Sequence, residues 1–192
     1  MTSTVSMHPR HPYAALWPAT ARCPLLGFAA WSGTGKTTLL KAVIPRLRDA
    51  GLRLALVKHA HHAFDVDVPG KDSHTLRKAG AEQVLVTSGN RWALMRERPQ
   101  YREPDLAEEL ARLDQDAVDL VLVEGFRHER FPKIELLREV DDQRPPLFRQ
   151  DEAVIAVAAP DGLQLDTALP RLCLDDADAV AAFIRDQVVA AR

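Results

Sequence analysis

The sequence predicts an α/β fold: a mostly parallel sheet flanked by helices, with one antiparallel β-hairpin. Three observations predict it. Apolar runs of strand length, near 25–31, 52–59, 118–126 and 153–159, alternate with segments whose apolar residues recur at helical spacing. The first of these runs leads through "SGTGKTTLL" (32–40) straight into a helix-like segment. Between 83 and 97, two strand-like runs surround a Gly-Asn pair, a hairpin signal.

Taken in order, "LLGFAAW" (25–31) reads as a buried strand. From Lys36, the spacing of Leu39, Leu40, Val43, Ile44 and Leu47 predicts a helix that Gly51 stops. Pro45 inside it predicts a kink or a shortened last turn, because proline removes a helical N–H. "LRLALVKH" (52–59) is a second strand, and "HAFDVDVPGK" a loop anchored by Pro69-Gly70. "DSHTLRKAGA" fits a short helix capped by Asp72 or Ser73 and stopped by Gly80. The hairpin 83–97 follows, then a helix around Leu106, Leu110 and Leu113. "VDLVLVEGF" (118–126) is the most strand-like run, "KIELL" (133–137) a weaker one, and "AVIAVAA" (153–159) another buried strand. The last helix presents Val180, Phe183, Ile184 and Val188.

The 192 residues suit one domain, read here as 25–192 after a loose, proline-rich extension over 1–24. Residues 127–152, with Pro132, Pro145 and Pro146, read as a floppy excursion. A net charge of −2 gives no basic field for nucleic acid. No apolar run approaches a membrane span, and the N-terminus lacks the order of a secretory signal. Two distant cysteines, Cys23 and Cys173, argue against a disulfide framework or zinc site and suit a reducing cytoplasm.

The opening motif is built for an anion. Glycines let a loop adopt positive φ and wrap closely, and the following helix adds its positive end. Ser32, Gly33, Thr34, Gly35, Lys36, Thr37 and Thr38 form the expected phosphate-binding loop of a P-loop NTPase-like sheet. Lys36 would reach β- and γ-phosphate oxygens, Thr37 would take a Mg²⁺ position, and Thr38 could bond the α-phosphate. Ala30 stands where the full G-x-x-x-x-G-K-[ST] pattern has its first glycine. Glu124, ending an apolar strand, is a candidate for a Mg²⁺-bound water, as a carboxylate at that place usually is.

The loop "KHAHHAFDVDVPGKD" follows the second strand, where ligands of open α/β sheets collect. Asp65 or Asp67 could bind Mg²⁺ through water or position an attacking water. His59, His61 and His62 match no closed metal site, so local hydrogen bonding is the expected role. Asp161, after the strand 153–159, sits where a base-reading loop could be, and no N-K-x-D motif is present. Trp92 is expected in a core, and Arg91, Arg96 and Arg98 on a solvated surface.

The blocks "FAAWSGTGKTTLL", "VKHAHHAFDVDVPGKDSHTLRKAGA", "RWALM" and "LVLVEGFRHERFPKIELLR" closely resemble the molybdopterin-guanine dinucleotide biosynthesis protein B family, MobB, over about 25–140. The histidine–DVD–PGKDS block is the most specific of them. The family often has threonine at the place of Ala60 and an aromatic at His74, and the extension 1–24 is unusual. The resemblance implies a GTP-binding, Mg²⁺-dependent protein with weak GTPase activity. It implies an adapter to the guanylyltransferase MobA, which joins GMP to molybdopterin, and a homodimer to which the hairpin contributes. Guanine preference enters through the resemblance alone.

The residues themselves leave three classes open. The first is a binding protein that delivers GTP or a conformational signal; without a clear glutamine or arginine finger its hydrolysis would be slow. The second is a P-loop small-molecule kinase, with Arg127, Arg130, Arg138, Arg144 and Arg149 imagined as a basic lid. The third is a metal-delivery GTPase using the histidines.

Overall fold

The computed structural model describes residues 11–60, 64–141 and 143–190. They form two compact units, one comprising residues up to His59 together with those from Pro104 onward, the other spanning Ala60–Glu103. The sequence reads as one domain because no composition break marks either boundary of the inserted unit.

The larger unit holds a six-stranded sheet. Its strands are β1 (Leu25–Ala29), β2 (Leu54–Lys58), β5 (Leu120–Glu124), β6 (Lys133–Leu136), β7 (Val154–Ala159) and β8 (Arg171–Cys173). The order is β2-β5-β1-β6-β7-β8, and every pairing is parallel. Helices cover both faces, which is why the central strands read as unbroken apolar runs. On one face, α1 (Lys36–Asp49) and α4 (Ala177–Phe183) pack Leu39, Val43, Leu47 and Val180 against Leu26, Phe28 and Leu122. On the other, α3 (Leu106–Leu110) sets Leu106 and Leu110 against Leu25, Val121 and Val123. Gly27 is confined to glycine by packing: a Cβ there would run into the Phe131 ring.

Several sequence expectations need correction. Helix α1 continues through Pro45 to Asp49, so of the two effects expected of the proline the shortened last turn does not occur. The described part of the extension, 11–24, is packed rather than loose. Ala21 and Cys23 are buried in the core beside α3, and His11 donates from Nε2 to the Val188 carbonyl at 2.9 Å. Residues 1–10 lie outside the described residues. The 127–152 excursion is pinned from within: the buried Glu135 carboxylate accepts from the N–H groups of Leu147 and Phe148 at 2.6 and 2.8 Å. Lys133, wholly buried, reaches Asp151 at 2.6 Å. Strand β8 is not among the strands that the sequence predicts. The final helix extends α4 through a π-type segment, Ile184–Val189, burying Val180, Ile184 and Val188 as its spacing predicts.

The smaller unit consists of α2 (Asp72–Lys78) and the antiparallel pair β3 (Gln83–Thr87) and β4 (Trp92–Arg96). Lys71, not Asp72 or Ser73, is the N-cap residue of α2. Trp92 is 70% exposed, contrary to its expected core position, and Leu85 and Leu94, which pair across the hairpin, are also exposed.

Candidate functional site

β1 delivers the chain to a loop, 30–35, that turns into α1. Gly33 and Gly35 adopt φ of +82° and +110°, a region side-chain-bearing residues rarely enter. Ala30 is not among the residues with positive φ, so the loop has no backbone need for a glycine there. The Thr34 hydroxyl donates to the Trp31 carbonyl at 2.9 Å and tightens the turn. Gly35 is the N-cap of α1 and brings no side-chain cap. The N–H groups of Gly33, Gly35, Lys36, Thr37 and Thr38 donate to no carbonyl among the described residues. Such a cluster, at the positive end of a 14-residue helix, has the geometry to receive an anion.

Lys36 folds back over the loop, donating from Nζ to the carbonyls of Ala30 at 3.0 Å and Trp31 at 3.3 Å. Partial burial pulls its pKa below the ordinary lysine value. Glu124 opposes that shift, while Arg127 and Lys58 add to it. Glu124 ends β5, between β1 and β2. One of its oxygens accepts from the Thr37 hydroxyl at 3.3 Å, the other from Lys58 Nζ at 3.1 Å. A hydroxyl and a carboxylate facing each other are the hard oxygen donors that Mg²⁺ takes, so these residues fit that ion. No cluster of three metal-ligating His, Cys, Asp or Glu side chains occurs among the described residues.

The turn after Glu124 is tightly built. Gly125 has φ +102°, and a Cβ there would lie 2.6 Å from that of His59. Phe126 follows at φ +52°, its ring 5.0 Å from the His59 ring. His59 packs against this turn; His61 and His62 lie outside the described residues.

Sequence reasoning missed how the arginines serve the loop. Arg138 donates from Nε to the Thr34 carbonyl at 2.9 Å. The Arg127 guanidinium lies 4.0 Å from the Trp31 ring centroid and that of Arg144 5.4 Å, within cation–π range. All three come from the segment read as an excursion and imagined as a basic lid, and nothing local in the sequence marks Thr34 and Trp31 as their partners. A cavity of about 140 Å³ adjoins the loop, lined by Gly35, Thr38, Leu39, Arg138, Leu174 and Asp175 among others. Asp161 occupies an exposed turn after β7 and does not line it.

Asp65 and Asp67 belong to the smaller unit and are engaged there. Asp65 takes two hydrogen bonds from Arg77 Nη2, at 2.8 and 2.6 Å. Asp67 accepts from the Ser73 hydroxyl at 2.8 Å and lies 3.7 Å from Arg77 Nε. Arg77 also meets Glu97. These contacts tie the DVD segment to α2 and β4.

A parallel sheet with a glycine loop between β1 and α1, a lysine over that loop and a carboxylate on the adjacent strand defines a P-loop NTPase-like protein. Within that class the chain belongs to the MobB family, molybdopterin guanine dinucleotide synthesis protein B, whose family model matches residues 25–160. It is 53% identical over 161 residues to the molybdopterin-guanine dinucleotide biosynthesis adapter protein of Escherichia coli K12, covering 84% of this chain and 91% of that one. It is 44% identical over 147 residues to the adapter protein of the same name from Haemophilus influenzae, covering 76% and 80%. The crystal structure of a MobB homolog from Bacillus stearothermophilus superposes with a TM-score of 0.65 at 26% identity, covering 88% of this chain and 99% of that one.

Proposed function

We propose that this protein binds GTP with Mg²⁺ at the 30–38 loop and serves as an adapter in molybdopterin guanine dinucleotide biosynthesis. Its partner is the guanylyltransferase that joins GMP to molybdopterin. The observation that carries the binding reading is the set of loop N–H groups around Gly33 and Gly35 without carbonyl acceptors among the described residues, with Lys36 donating to the Ala30 and Trp31 carbonyls beside them. These amides donate to the β-phosphate, and Lys36 moves from two neutral carbonyls onto charged phosphate oxygens, a stronger class of contact. Thr37 and Glu124 would hold Mg²⁺, which when bound supplies positive charge against the β- and γ-phosphates.

The adapter role is supported by kinship, through the E. coli and H. influenzae relatives that carry that word in their names. Slow hydrolysis fits it. Arg138 is tied to the loop backbone and Arg127 stacks on Trp31, so neither is arranged as a free finger or a lid. The same contacts weigh against the kinase reading. The exposed apolar face of the hairpin, Leu85, Trp92 and Leu94, supports a homodimer. The two cysteines are free thiols, and no described helix is long and apolar enough to cross a membrane; a cytoplasmic setting agrees with both.

Calorimetric titration with GTP and ATP, with and without Mg²⁺, tests the binding reading: tight, Mg²⁺-enhanced GTP binding with little turnover supports it. Fast hydrolysis by the isolated protein, or transfer to a small acceptor, overturns the adapter role. Co-purification with the guanylyltransferase tests the partner.

A further inference from the structure

We infer that the nucleoside half of the nucleotide occupies the cleft beside Thr38 and that Asp175 reads its base as guanine. This rests on the triphosphate reading above and adds the base subsite and its selector. The cleft, about 140 Å³, shares Gly35 and Thr38 with the phosphate loop, so a nucleotide held by those amides has this cleft beside it. Leu39 and Leu174 give it apolar walls for a flat ring. Arg138, which donates to the Thr34 carbonyl, lines the cleft as well. One carboxylate faces it, Asp175, at the carboxyl end of β8, where ligands of open α/β sheets gather.

The neighbouring aspartates divide their work. Asp176 caps α4, accepting from the N–H groups of Asp178 at 3.0 Å and Ala179 at 2.9 Å. Asp175 is exposed and makes no hydrogen bond or ion pair among the described residues, so local structure gives it no role. An ionised carboxylate only accepts. Guanine offers it two adjacent donors, N1–H and the 2-amino group; adenine offers an acceptor nitrogen at N1. The carboxylate therefore favours guanine and opposes adenine with the same atoms.

The test exchanges base preference rather than merely weakening binding. In xanthine, a carbonyl replaces the 2-amino group, so an asparagine at 175 can donate to it while accepting from N1–H. Full-length wild type, Asp175→Asn and Asp161→Asn are titrated with GTP, XTP and ATP in Mg²⁺. Wild type should prefer GTP. Asp175→Asn should lose about 10- to 150-fold in GTP affinity, the range for one charged hydrogen-bonding contact, and gain XTP affinity. Asp161→Asn should leave the order unchanged. Wild type binding GTP and ATP alike, or an unaltered GTP-to-XTP ratio in Asp175→Asn, overturns the inference while leaving the phosphate loop intact. A swap produced by Asp161→Asn moves base reading to the turn after β7 and overturns it too. No triphosphate binding by wild type defeats both readings. Unchanged melting temperatures show that the variants are folded.

Discussion

Lys58 Nζ donates to Glu124 Oε2 at 3.1 Å, from positions that lie directly opposite each other in the β2–β5 register. The Glu124 side chain is 13% exposed and that of Lys58 53% exposed, so the pair joins a sheltered carboxylate to a solvated ammonium. The other Glu124 oxygen meets the Thr37 hydroxyl. The ammonium thus holds one of the oxygens that Mg²⁺ would use. Lys58→Ala should lower the Mg²⁺ concentration needed for half-maximal GTP binding by up to about 5-fold, the scale of a partly exposed ion pair. Glu124→Gln should raise it. Magnesium titrations at fixed GTP check both, and an unchanged Mg²⁺ midpoint in each variant removes Glu124 from the metal site.

Lys36→Ala should cost about 10- to 150-fold in GTP affinity, the worth of one charge-assisted contact. The apo fold should be unaffected, because among the described residues Nζ hydrogen-bonds only to the Ala30 and Trp31 carbonyls at the loop. Titration calorimetry paired with thermal unfolding separates the two effects. Equal GTP affinity in variant and wild type would place the ammonium elsewhere.

The lowered pKa of Lys36 adds a pH signature. Burial disfavours its charged form, and Glu124 only partly offsets this. In the window between the lowered folded value and the ordinary 10.5, the unfolded chain binds more protons. Apo stability from this group therefore rises with pH across that window. Ligand binding runs the opposite way, since phosphate needs the ammonium. The advantage of wild type over Lys36→Ala in GTP affinity should shrink as pH climbs toward 10.5, earlier than for a solvent-exposed lysine. A constant ratio from neutral to alkaline pH would mean the charge is not used.

Local features were legible in the sequence and distant ones were not. Gly33, Gly35, Lys36 and Thr37 announce themselves because one contiguous stretch builds the loop, and Glu124 because it closes an unbroken apolar strand. The roles of Arg138 and Arg127 were invisible: they act on Thr34 and Trp31 across about a hundred residues. The packing of 11–24 was equally hidden, because prolines suggest looseness while the anchor of His11 lies at Val188. Lys133 and Glu135 made β6 look weak; each is buried only because Asp151 and the 147–148 amides satisfy it. The pairing of Asp65 and Asp67 with Arg77 was not legible either, since the composition of the loop does not name a partner.

Arg77→Ala should loosen the smaller unit without unfolding the sheet of the larger one. Its guanidinium joins Asp65, Asp67 and Glu97, carboxylates on the DVD loop and next to β4. Hydrogen exchange should speed up over 64–97 and remain unchanged in β1, β5 and β7. Hydrogen bonding to the Asp67 N–H, followed by Arg77, holds the Asp65 carboxyl below its ordinary range. Its stabilising share is therefore full above the ordinary carboxylate value and disappears as pH falls through the lowered one. Acid should thus mimic the variant in wild type. Uniform exchange throughout the chain would show that the cluster is not a separate lock.

The hairpin gives the last prediction. Leu85 pairs with Leu94 and Thr87 with Trp92, so Leu85, Trp92 and Leu94 share one face of the two-stranded sheet. All three are exposed, at 61%, 70% and 54%. A lone two-stranded hairpin is marginal in water and needs an apolar face covered, and a contiguous exposed patch of this kind marks an interaction surface. In the proposed homodimer a second copy of the chain would supply a matching patch under two-fold symmetry. Leu94→Asp should then shift the protein from dimer to monomer in sedimentation velocity, because it places a carboxylate opposite an apolar partner. GTP affinity should be retained, since the phosphate loop lies in the other unit. A wild-type monomer at micromolar concentration, or a variant that stays dimeric, would assign this face to another occupant.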